Sequence, residues 1–240
     1  MPAYPKWTLT ASLVLAMTLS ACGKKEEAAP APEAGPPAAQ TAPPAPAPEA
    51  PAPAPAPAAT EPTSDPAADA KAAAIAAALA EEALVSDPRG QWAASATASS
   101  TYGGDKSPSS TTAYSPSRAT GAPDVERYGD NGSSWAPETA DKGIEWLEVT
   151  FAKPVHATEI RIRQNNAPGA IIKIELIDEG GARHAIWEGV DDEKYAPSTV
   201  GWLSKTFEKT PYTAAGARLT LATNAVPDWN EIDAVQLLGD

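Results

Sequence analysis

Hydrophobic and polar positions follow two different patterns that meet near Gln91. C-terminal to it, short runs alternate with a period of two. Leu147, Val149 and Phe151 fall on one side, Glu148 and Thr150 on the other. Ile160 and Ile162 alternate with Glu159, Arg161 and Arg163, and Ile172, Ile174 and Leu176 with Lys173 and Glu175. Successive side chains of a strand leave opposite faces, so this alternation predicts strands with one buried and one wet face. Trp92–Ser100, read as an edge strand, Ala185–Trp187, Trp202–Phe207, Leu219–Leu221 and Ile232–Leu238 bring the total to about eight. Pro154, Asn165–Gly169 and Gly180-Gly181 punctuate them. The expected class is all-β: an antiparallel jelly-roll β-sandwich over 91–240.

N-terminal to that domain the periodicity changes. Residues 67–86 are Ala-rich and predict a short helix. Ser64 or Asp65 can cap it, Pro66 suits its first position, and Asp87-Pro88 ends it. Ile75 and Leu79 make only a thin apolar stripe, so the helix is expected to be a solvent-facing spacer or to pack weakly on the domain. Residues 22–66 alternate Pro and Ala; more than half of the 26 prolines lie between Pro30 and Pro66. Such a segment cannot bury a core and predicts a disordered, polyproline-biased linker with a reach on the order of 120 Å.

The first residues change the picture again. Lys6 precedes an apolar run, Trp7–Leu19, too short to span a bilayer comfortably. Leu19-Ser20-Ala21-Cys22 follows directly and resembles the lipobox of bacterial lipoproteins. The resemblance implies a signal peptide over 1–21, cleavage before Cys22, acylation of Cys22 and partnership with membrane lipid. Gly23, in place of the Asp that marks inner-membrane retention, implies an outer-membrane address, facing the periplasm or the surface.

The formal net charge of −13 excludes a basic footprint for nucleic acid and electrostatic docking on anionic lipid. Cys22 is the only cysteine, so neither an intrachain disulfide nor a Cys-rich zinc site can form.

The stretches SPSRATGAPD, DNGSSWAP and EWLEVTFAKPVHATEIRI, with the closing NEIDAVQLLG, resemble the discoidin-like, F5/8 type C, galactose-binding β-sandwich superfamily over 93–239. The segment VERYGD lengthens the loop after Asp124 beyond the usual pattern. The resemblance implies a structural calcium between this loop and the last strand. Asp124 and Glu231 would supply carboxylates, with Asp130 or Asn131 in the shell. Calcium takes six to eight oxygens from such groups; Asx turns alone are the alternative way to hold the loop.

The resemblance also places ligands at the loop end. Aromatic rings there stack on sugar faces while Arg, Asn and Asp read hydroxyls. Tyr128, Arg163, Asn165, Trp229 and Asn230 are the leading candidates, with Tyr102, Tyr114, Trp135 and Asn166 behind them. Trp146, Trp187 and Trp202 are assigned to packing, and Trp135 can serve there as well. His156 and His184 have no nucleophilic serine in an elbow context. Asp124, Asp130, Glu231 and Asp233 suit metal binding better than glycoside hydrolysis. The expectation is a non-catalytic, membrane-anchored module for carbohydrate or cell-envelope polymer; an assembly lipoprotein with a protein partner is the alternative.

Overall fold

The computed structural model describes residues 65–240. The signal peptide, Cys22 and nearly all of the Pro/Ala linker lie outside the described residues. Helix α1 spans Pro66–Val85, with the Asp65 carboxylate accepting from Ala67 N at 3.0 Å and Pro66 at its first position. Eight strands follow: β1 Gly90–Ala98, β2 Ile144–Val155, β3 Ala157–Asn166, β4 Ile171–Asp178, β5 Arg183–Glu188, β6 Gly201–Thr206, β7 Ala214–Ala222 and β8 Glu231–Gly239. All pairings are antiparallel, and the order is β5-β4-β7-β2-β1-β8-β3-β6.

The expected edge strand is in the middle. β1 pairs through Gly90–Trp92 with β8 and through Ala93–Ala98 with β2. A register shift between Ala93 and Ser95 lets one strand serve two layers. One layer is β5-β4-β7-β2-β1 and the other is β8-β3-β6, with the first residues of β1 added. The strand's inward residues are alanines, Ala93, Ala96 and Ala98, all buried. Small side chains gave it the look of an edge although it runs through the core.

Between the layers Leu147, Val149, Phe151, Ile160, Ile162, Leu219, Leu221, Val235 and Leu237 form one buried cluster. Trp135 is fully buried in the same cluster, its Nε1–H donating to Ser100 O at 3.1 Å. Its backbone pairs with Ile232 in both directions, at 2.9 and 3.0 Å, which fastens the long polar loop to the start of β8. In β4 the inward set is Ile171, Ile174 and Leu176. Ile172 was expected inward, but a shift between Ile171 and Lys173 turns it out.

The outer face of β3 is not wet. Arg161 and Arg163 are 6% and 4% exposed, beneath the C-terminal end of α1. Arg161 reaches Leu84 O at 3.2 Å, Asp87 at 3.2 Å and Glu159 at 2.7 Å. Arg163 reaches Glu81 at 2.7 Å and Asp233 at 2.5 Å. No residue of α1 is buried, as a solvent-facing helix requires, and its last turns pack on the domain through Glu81 and Leu84, over two buried cations. A guanidinium needs several acceptors in a fixed fork, and the end of α1 supplies some of them.

Candidate functional site

The site is built on the end of β3, Gln164–Asn166, and the start of β8. Asn165 is fully buried. Its side-chain amide donates to Gly129 O at 3.0 Å and to Glu231 Oε2 at 2.6 Å, and its backbone carbonyl accepts from Gly129 N at 2.9 Å. Asn166 Nδ2 donates to Trp229 O at 3.0 Å. Asn230, also buried, donates to Ala167 O at 2.8 Å and Val226 O at 3.3 Å. A primary amide carries two donors, so one side chain can tie two backbone segments together. The asparagines expected to read a ligand are therefore turned inward, holding the 129 and 229 segments in place.

Above them lies a cavity of ≈ 230 Å³ lined by Tyr102, Tyr114, Asp130, Ala136 and Trp229. The Tyr102 ring meets Tyr114 edge-on at 5.1 Å and Trp229 at 6.0 Å with planes at 90°. Tyr114 OH donates to Asp130 Oδ1 at 2.7 Å. This bond to a carboxylate, with burial and the nearby charges of Asp130 and Glu231, pushes the Tyr114 phenol up to about 12. Tyr114 has a left-handed backbone, φ 61°, held by Thr101 Oγ1 donating to its carbonyl at 2.6 Å and by its bridge to Trp135. A tyrosine in that region is strained and needs such support.

Under Asp130 lies Glu231, 1% exposed. Its Oε2 accepts from Asn131 N at 3.1 Å, Ser134 Oγ at 2.8 Å and Asn165 Nδ2. Its Oε1 has no partner among the described residues. Burial raises the Glu231 carboxyl to about 7; the three donors oppose the shift, and the Asp130 carboxyl beside it adds to it. Asn165 Oδ1, Asn230 Oδ1 and Trp229 Nε1 are likewise buried without partners. Four of the six such side-chain atoms thus belong to this end of the sandwich, although buried polar groups are normally satisfied.

The carboxylates expected to share calcium separate into two groups. Asp130 and Glu231 come together. Asp124 goes instead to Asp233, whose Oδ1 accepts from Asp124 N at 3.3 Å while Oδ2 pairs with Arg163. Among the described residues no three His, Cys, Asp or Glu side chains stand where they could share an ion. The unpartnered Glu231 Oε1 is a hard oxygen donor of the kind calcium takes, and the Asp130 carboxyl lies beside it, whereas Oε2 faces hydrogens. The two acids that could meet a cation are thus Asp130 and Glu231, without Asp124.

Arg163 does not reach the rim: its guanidinium is committed to Glu81, Val125 O and Asp233. The sequence pattern placed it on a wet face because it does not show what the helix covers. Tyr128 is 37% exposed and lies across Gly129 from Asp130. Tyr102 and Tyr114, secondary candidates from sequence, are walls of the cavity. Ala136 went unnoticed, and a small residue after a core tryptophan carries no signal.

The family model described as "Pappalysin-1, SD scarf domain, C-terminal" matches residues 85–240. The chain belongs to that family. The SD scarf domain so delimited contains all eight strands and the whole aromatic cavity, and leaves out α1 up to its last residue. Its antiparallel sandwich fits the discoidin-like architecture expected from the sequence. Among solved structures the chain is similar to chitosan-binding module 1 of a chitosanase/glucanase from Paenibacillus sp. IK-5: identity 16%, coverage 60% of this chain and 93% of that one, TM-score 0.42. The lectin domain of Lectinolysin complexed with Lewis B antigen gives 17% identity, 60% and 92% coverage and a TM-score of 0.40. A Ruminococcus gnavus fucosidase in complex with fucose gives 16%, 60% and 25%, and 0.41. No curated protein matches the chain.

Proposed function

We propose that the SD scarf domain is a non-catalytic module that binds a glycan of the cell envelope, displayed on a lipid anchor at Cys22. The observation that carries the reading is the cavity walled by Tyr102, Tyr114 and Trp229 with Asp130 among them. A sugar ring offers C–H faces to such aromatic walls and hydroxyls to a carboxylate. Asp130 spends Oδ1 on Tyr114 and keeps an oxygen for a ligand donor. At ≈ 230 Å³ the cavity is smaller than the usual small-molecule pocket and suits one ring.

Hydrolysis is disfavoured by the same geometry. A glycosidase sets two carboxyl groups on either side of the scissile bond. Here the second carboxyl, Glu231, is 1% exposed and lies beneath the first. The anchor and the outer-membrane address rest on Leu19-Ser20-Ala21-Cys22, Gly23 and the Pro/Ala tether. Calcium at Asp130 and Glu231 is part of the proposal, because a cation there relieves the apposition of two acids.

The test is a glycan array probed with the full chain and with Trp229→Ala. Binding that falls at least about tenfold in the variant, at an unchanged melting temperature, supports the reading. Absence of binding to any glycan, or equal binding by the variant, removes it. For calcium, a chelator should lower the melting temperature, since an ion bound only to the folded state stabilises it. Identical melting curves in chelator and in calcium remove the metal.

A further inference from the structure

We infer that the glycan is read as a chain, with a second ring held in an adjoining pocket on the far side of the Gly129 ridge. This deepens the proposed function and rests on it.

The second pocket, ≈ 250 Å³, is walled by Tyr128, Tyr195, Val226 and Asp228, with prolines between them. Two separate segments each supply both pockets. Asp130 faces the first and Tyr128 the second, two residues apart across Gly129. Trp229 faces the first and Asp228 the second, one residue apart. The pockets are therefore neighbours divided by a low ridge of backbone. That ridge is held from below by Asn165 on Gly129 and Asn166 on Trp229.

The second pocket is pre-shaped as well. Tyr195 OH donates to Asp191 at 2.7 Å and accepts from Gln164 at 3.1 Å, which fixes its ring. The ring lies so close over Gly201 that a Cβ there would stand 2.4 Å from it. Of the five non-glycine residues with a left-handed backbone among the described residues, Tyr114 lines the first pocket and Ala167, Ser198 and Asp228 the second. Backbone held in such conformations by its surroundings clusters at active sites and ligand clamps. Tyr128 and Ser198 also form the near wall of a third hollow, which runs on to Glu81 of α1. The second and third hollows thus share a wall and extend the surface beyond the size of one sugar.

A single ring in ≈ 230 Å³ gives little affinity. A second ring on the same molecule adds its contacts without a second loss of translational freedom. The charge along this surface defines the class of chain. Asp130 and Asp228 stand at the ridge, the third hollow sets Glu81 and Glu126 beside Arg127 and the ion-paired Arg163, and the formal net charge is −13. The occupant is therefore a neutral or amino-bearing glycan rather than a uronic acid polymer.

The experiment titrates the full chain with N-acetylglucosamine, with its β-1,4-linked dimer and tetramer, with their de-N-acetylated counterparts, and with oligogalacturonate as the acidic control. The readout is the ratio of tetramer to monosaccharide affinity. We expect a ratio of about ten or more, weak binding of the acidic oligomer, and collapse of the ratio in Tyr128→Ala. Tyr128 is partly exposed, so a melting curve suffices to show that this variant folds. A monosaccharide that binds as tightly as the tetramer overturns the second pocket and leaves the first intact. A ratio that survives Tyr128→Ala overturns it too, as does preferential binding of oligogalacturonate. Absence of binding by every one of these sugars overturns the extended chain proposed here, while the glycan array decides the first pocket separately.

Discussion

Glu231 and Asp233 sit two residues apart on β8 and are equally buried, yet the protein treats them in opposite ways. Asp233 faces a cation. Arg163 holds it, Glu81 holds Arg163, and the end of α1 covers the arrangement. Glu231 faces another acid, Asp130, and keeps one oxygen without a partner. Burial pushes both carboxyls upward, but only at Asp233 does a guanidinium oppose it. The Asp233 side is framework, with its charges closed among themselves. The Glu231 side retains unsatisfied polarity next to three aromatic rings, and that is where an outside partner has something to gain.

The sharpest way to break this contrast is to strip the framework of its cation. Arg163→Met leaves Asp233 buried and unpaired and should cost about 3–5 kcal/mol in urea unfolding. A loss under about 1 kcal/mol would mean that the pair is not structural.

The next effect depends on pH. Glu231 is raised by burial from 4.5 to about 7. A raised folded-state value means that its contribution is fully present below the unfolded value and is lost as pH rises through the folded one. The melting temperature should therefore fall as pH goes from about 4.5 to above 7. Glu231→Gln should flatten that fall and raise the melting point above pH 7 by about 2–4 °C, because the amide can donate to Asp130 while its oxygen still accepts from Ser134 and Asn165. An unchanged pH profile in the variant would place the titration elsewhere.

The smallest expected change is at the rim. Tyr114→Phe removes the hydroxyl from Asp130 and should cost about 1 kcal/mol, read as a modest drop in melting temperature. If it costs as much as Arg163→Met, the rim is framework as well and the contrast is lost.

Much of this was legible beforehand. Alternation in β2 and β4 exposed those strands because a half-buried sheet imposes a period of two on the sequence. The cap at Asp65 and the stop after Val85 were readable from local chemistry alone. The β1 edge assignment misled because buried alanines look like weakly apolar surface. Arg161 and Arg163 misled because the alternation that placed their neighbours inside says nothing about what lies outside. Asn165 and Asn230 were correctly located at the loop end, but an amide that reads a ligand and one that ties two loops have the same sequence signature.

The strand set, the lone cysteine in its lipobox-like context and the acidic charge can all be read along the chain, since each depends on residues near one another or on their sum. That Asp130 meets Glu231, that Asp124 goes to Asp233, and that Tyr102, Tyr114 and Trp229 share one cavity emerges only once the chain is folded. Those partners lie about 100 residues or more apart, apart from the two tyrosines. Which acid faces a cation and which faces another acid depends on how the layers stack, and no local pattern encodes that.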